Sequence, residues 1–149
     1  MTASAASESF LPGEGWEIGA SGLPERSAAR VLLLDHQGRV LLVRGHDAHQ
    51  VERTWWFTLG GGIEKGEASA DAAIREVHEE TGLVLEPARL LGPVARRSAI
   101  FDFQARSVRQ HEVFYAYQLT DSAPQELSTD GWTAIERSFV DEVTWWRLD

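Results

Sequence analysis

Between Gly61 and Leu83 the chain reads GGIEKGEASADAAIREVHEETGL, a glycine-rich turn ahead of a helix-forming run that carries Glu76, Glu79 and Glu80. At about 100° per residue, these three glutamates fall within a single arc of roughly 100° on a straight helix. Carboxylates crowded on one stripe repel each other, and no run of lysines lies nearby to neutralise them. A hard divalent cation between them resolves the conflict, because Mg²⁺ and Mn²⁺ choose carboxylate oxygens. Standing alone, E-x-x-E-E reads as a solvated helix face.

Positioning such a cluster needs a rigid frame, and the flanking sequence predicts one. Ser69 is placed to cap the helix and Asp71 favours its first turn. Ala70, Ala73, Ile74, Val77 and Thr81 recur at three- and four-residue steps, which predicts a buried face opposite the charged one, and Gly82 supplies the stop. Upstream, ARVLLLD, the turn at His36, Gln37 and Gly38, and RVLLVR predict a β-hairpin. Thr54 to Leu59 reads as a short aromatic strand leading into the glycines. Strands are also expected at Leu83 to Leu91, Pro93 to Phe103, Gln110 to Leu119 and Val140 to Leu148, with a weak helix from Gly131 to Phe139. In the third of these strands Val113, Tyr115, Tyr117 and Leu119 face one way. One strong and one weak helix interleaved with strands indicate an α/β sandwich around a mixed sheet.

The chain has 149 residues, suited to one domain, and a net charge of −9. An acidic surface is a poor partner for duplex nucleic acid, although bound cations would admit a small phosphorylated substrate. Cysteine is absent, which excludes disulfides, zinc–thiolate sites and thiol nucleophiles. The opening residues are small and polar and the longest aliphatic runs are far too short to span a bilayer. No membrane association and a cytoplasmic location are therefore expected. Residues 1–25, rich in Ser, Ala and Gly, read as a flexible leader whose Phe10, Leu11 and Trp16 could dock locally, with one domain over residues 26–149. His46 and His49 have no third ligand nearby, and Gly82 stands where an H-E-x-x-H motif would need its second histidine, so zinc is not indicated.

The segment resembles the signature of the Nudix hydrolases, G-x5-E-x7-R-E-U-x-E-E-x-G-U with U aliphatic. The chain supplies Gly61, Glu67, Arg75, Glu76, Val77, Glu79, Glu80, Gly82 and Leu83 at every required spacing. That resemblance implies a Nudix-type α/β/α sandwich with a mixed central sheet and a metal-dependent hydrolase of nucleoside diphosphates linked to a moiety X. It implies Glu76, Glu79 and Glu80 as ligands of Mg²⁺ or Mn²⁺, with a backbone carbonyl of Gly60 or Gly61. Glu79 or Glu80 would be the general base, Arg75 would orient the glutamates, and Glu67 would support the loop. Arg44 falls where relatives often contact phosphate, Glu112 where some place a further carboxylate, and Trp56 could stack on a base. For Arg44 a surface charge is an equal alternative, for Glu112 a cross-strand ion pair is favoured, and one of Trp55 and Trp56 is expected in the core. Arg96, Arg97, Arg106 and Arg109 are read as solvent-facing charges before phosphate ligands. The partner expected is a small nucleotide-type molecule, and the resemblance leaves a homodimer open. A nucleotide-sensing module without turnover is the alternative. Ser98 to Phe101 lacks the Pro or Tyr that accompanies ADP-ribose and dinucleoside polyphosphate substrates, which weakens both for X.

Overall fold

A computed structural model describes residues 11–13, 15–47, 49–103, 106–120 and 126–149. Its strands are β1 (Glu17–Ile18), β2 (Pro24–Leu34), β3 (Val40–His46), β4 (Thr54–Gly62), β5 (Leu91–Phe103), β6 (Arg106–Gln118) and β7 (Val140–Trp146). Helix α1 spans Ser69–Thr81, helix α2 spans Ala134–Phe139, and a 3₁₀ turn covers Pro87–Arg89. The strands form one sheet in the order β5-β6-β2-β4-β3-β7, with β1 added on β2. β2 and β6 run parallel from Glu25 opposite Arg109 to Leu34 opposite Gln118, while the other pairings are antiparallel. The sheet is mixed and the class is α/β, as the sequence predicts.

The expected hairpin survives only at its turn. Asp35 accepts backbone N–H groups from Gln37 and Arg39 at 2.9 and 2.8 Å and the Arg39 Nε at 2.7 Å. Beyond that turn β2 and β3 pair only at Leu34 and Val40, because β4 enters between them and takes a facing edge from each. The glycine-bearing end of β4, Gly60 to Gly62, thereby lies beside the centre of β2.

Alternation along β2 turns Ala29, Val31 and Leu33 to one face, where they meet Leu59, Val113, Tyr115 and Tyr117 beneath Ala72, Ala73 and Val77 of α1. The buried stripe of α1 is rotated from the expected one. It comprises Ala72, Ala73, Glu76, Val77, Glu80 and Thr81, while Ala70 and Ile74 are only partly covered. Two glutamates can turn inward because the strand facing them ends in residues without side chains. The helix also starts one residue early for the expected cap: Ala68 is the N-cap, and the Ser69 hydroxyl meets the Tyr115 hydroxyl at 2.6 Å. Gly82 closes the helix at φ 80°, as expected. The strand predicted over Leu83 to Leu91 is instead a loop with a 3₁₀ turn, since Pro87 withholds a ladder donor.

Of the expected leader, residues 1–10, including Phe10, lie outside the described residues. Trp16 is buried at 4% exposure, and Glu17 and Ile18 pair with Glu25 and Pro24. Among the described residues no helix is long and apolar enough to cross a membrane.

Candidate active site

α1 and the end of β4 build the site together. An added Cβ at Gly61 would lie 2.6 Å from the Glu76 carboxylate, so only glycine admits that carboxylate against the strand. The Gly60 N–H donates to Glu80 Oε1 at 2.9 Å. Arg75 ties the helix to the loop before it. Its Nε and Nη2 donate to Glu67 at 2.8 and 2.9 Å, and its Nη2 also donates to the Gly62 carbonyl at 3.0 Å. Its Nη1 reaches Glu76 at 3.1 Å and both oxygens of Glu79 at 3.2 Å. Glu67 in turn accepts the Glu64 N–H at 3.0 Å, which pins the loop.

The electrostatics follow from the packing. Burial, and after it the charge of Glu79, push the Glu76 carboxyl up to about 7 against the pull of Arg75. Burial and then Glu76 hold Glu80 well above the usual carboxylate range, although the Gly60 N–H and Arg30 favour its charged form. Arg75, by its bonds to Glu67, keeps that carboxyl below its ordinary value. Burial and mutual repulsion thus disfavour the charged forms of Glu76 and Glu80, a cost that a hard dication between them would offset. As arranged, no three acidic or histidine side chains among the described residues converge at chelating distance. An entering ion competes with Arg75 and the Gly60 N–H for these carboxylates. Of the two candidate carbonyls, that of Gly60 already accepts Arg30 Nη1 at 3.0 Å.

The glutamates line a cleft of about 1370 Å³ together with Arg30 of β2 and Glu112 of β6. Arg30 and Arg97 both bind Glu112 there, at 2.9 and 2.6 Å, and their charge outweighs its burial and keeps it ionised below the usual range. Glu112 therefore lies in the cleft as a cross-strand ion pair. Trp55 and Trp56 both line the cleft, and Trp56 also packs edge-on against Trp146 with centroids 5.0 Å apart. Arg44 is drawn elsewhere. It faces Asp141 and Glu142 on β7 at 3.7 and 3.2 Å and is not among the lining residues. Arg109 pairs with Glu25 at 3.6 Å.

Sequence reasoning missed Arg26, Arg30 and Gln110, which line the cleft, and Trp132, whose indole N–H donates to the Glu80 carbonyl at 2.9 Å. The alternation of β2 carried the signal for two of them: Arg26, Ala28 and Arg30 share the face opposite Ala29 and Val31. Trp132 had no signal, since it reaches α1 from 52 residues away.

A glycine-ended strand thus faces a glutamate-bearing helix on a mixed sheet of the α/β class. The NUDIX domain family matches residues 24–149, and the chain belongs to that family. It is 39% identical over 71 residues to an RNA pyrophosphohydrolase of Dinoroseobacter shibae, covering 48% of this chain and 42% of that protein. It is 32% identical over 111 residues to a mouse diphosphoinositol polyphosphate phosphohydrolase 2, covering 74% of this chain and 54% of the relative. The chain spans about half the length, or less, of the curated relatives it matches. In fold it is similar to an E. coli dihydroneopterin triphosphate pyrophosphohydrolase (TM-score 0.58, 17% identity, 80% of this chain and 79% of that one). A MutT protein from Methanosarcina mazei Go1 also shares the fold (TM-score 0.55, 20% identity, 83% and 77% covered).

Proposed function

We propose that the chain is a hydrolase that cleaves a phosphoanhydride bond in a nucleoside diphosphate linked to another moiety X. The products would be a nucleoside monophosphate and phosphorylated X. The observation that carries this reading is the closed-in pair Glu76 and Glu80, packed against glycines at the mouth of an arginine-lined cleft. Bound Mg²⁺ or Mn²⁺ would neutralise the phosphate oxygens and lower the pKa of the attacking water. Glu76, Glu79 and Glu80 would hold the ions, with the Gly61 carbonyl preferred to that of Gly60. Glu79, whose side chain keeps 34% of its exposure, would take the proton of that water, while Glu80 is more enclosed. Arg75 orients Glu76 and Glu79, and Glu67 fixes Arg75. Trp56 or Trp55 offers a face for a base.

Expected outcomes are concrete. Glu79→Gln or Glu80→Gln, folded as the parent, lowers kcat about a hundredfold or more, the scale of a lost general base. Near-parental rates in both variants would remove the assignment. A nucleotide panel with Mg²⁺, followed by calorimetry and phosphate release, identifies X; heat without product would point to a nucleotide sensor.

A homodimer is supported by β5, whose Leu91, Val94, Ile100 and Phe101 are exposed at one edge of the sheet. Sedimentation as a monomer at high concentration would remove it. The absence of cysteine suits a reducing cytoplasm, which cell fractionation checks.

A further inference from the structure

Gln110 is fully buried on β6, yet it is among the residues that line the cleft. Its Oε1 accepts the Arg26 Nε at 2.6 Å, which fixes which end of the amide is oxygen. The Nε2 is then left with two N–H donors and no acceptor among the described residues. A buried donor without a partner is destabilising, and a ligand oxygen would satisfy it.

Arg26 adds charge to the same spot. Its guanidinium stacks at 4.6 Å on the ring of Trp16, and among the described residues the side chain that accepts from it is the neutral amide of Gln110. No carboxylate among the described residues stands within ion-pair distance of it, whereas Arg30 and Arg97 share Glu112. Burial first, and the charge of Arg30 second, lower Arg26 to about 10. A chain of net charge −9 thus keeps a donor-rich pair, Arg26 and Gln110, in the lining of its cleft beside the ion-paired Glu112. The pair also stands next to the reacting centre: on β2, Arg30 lies opposite Gly60 and Ala28 opposite Gly62, with Arg26 two residues further. From Arg26 to Arg30 is about 13 Å of strand, longer than one phosphoryl group occupies.

Resting on the hydrolase reading above, we propose that Gln110 and Arg26 form a subsite for a phosphoryl group of the substrate beyond the anhydride that is cleaved. X, or the nucleotide, would then carry at least one additional phosphate. Acceptor-only oxygens satisfy both the Nε2 donors and the guanidinium, and the Trp16 ring holds the guanidinium in place.

Calorimetry with inorganic tripolyphosphate and with orthophosphate, in Mg²⁺, tests this without turnover. Gln110→Met keeps the volume and removes the donors, and Arg26→Met removes the charge. Each is expected to weaken tripolyphosphate at least tenfold and to narrow the preference for tripolyphosphate over orthophosphate. Arg26→Lys, which keeps the charge, should recover part of the loss and covers the case in which a methionine variant fails to fold. An unchanged ratio across the folded variants would overturn the subsite. A parent protein that binds tripolyphosphate through these residues but hydrolyses no anhydride would overturn the hydrolase reading and leave the subsite standing.

Discussion

A methyl group placed at Gly61 would meet the tip of the Glu76 side chain, whereas one placed at Gly60 would meet the Ala29 carbonyl at 2.1 Å. A flexible carboxylate can swing away; a strand backbone cannot. Gly60 also sits at φ 134°, a conformation that an L side chain rarely adopts. Gly61→Ala should therefore fold with a melting temperature near that of the parent but bind Mn²⁺ at least tenfold more weakly, as titration would show. Gly60→Ala should lose on the order of 2 kcal/mol of stability or more in urea unfolding. Equal metal affinity in folded Gly61→Ala would separate Glu76 from the metal site. At this scale the spacing of Glu67, Arg75, Glu76, Glu79 and Glu80 was readable because it is local, the helix period acting on a contiguous segment. Gln110 was not readable, since its meaning depends on Arg26, 84 residues earlier.

Elements were legible where one periodicity governed them. Helix α1 and strand β6 emerged nearly as their patterns predict, and Gly82 ended the helix where expected. The hairpin misled because two adjacent aliphatic runs signal two strands without saying that a third will part them. Its turn nevertheless carries a measurable load. Asp35 is buried, which alone would raise its carboxyl, but the bonds from Arg39 and Gln37 outweigh this and hold it below the usual carboxylate range. Its folded pKa is depressed, so its contribution is fully present above the unfolded value and is lost as pH falls through the folded one. Asp35→Asn should thus lower stability at neutral pH and flatten the fall in melting temperature below about pH 4. A variant whose acid limb matched that of the parent would show that the turn does not contribute in this way.

The whole molecule reads as a folded chain that buries two acidic groups side by side, where a dication would favour their ionised forms. Anything that binds the folded state alone stabilises it by about 2.7 kcal/mol at a hundred times its dissociation constant. Saturating Mg²⁺ or Mn²⁺ should then raise the melting temperature by roughly 5–10 °C for a chain of this length, and a chelator should reverse the shift. Glu76→Gln combined with Glu80→Gln should abolish that shift, and a double variant that kept it would place the ion elsewhere. The amino-acid sequence by itself determined the family signature, the α/β class and the residues offered to a metal, because helix spacing, strand alternation and glycine placement act over neighbouring residues. Only the tertiary structure decided that β4 parts β2 from β3, that Glu76 and Glu80 turn inward, that Arg44 leaves the cleft for β7, and that Arg26 and Gln110 face each other. Those outcomes depend on which edges and faces meet across dozens of residues, where burial and charge pairing outweigh any local preference.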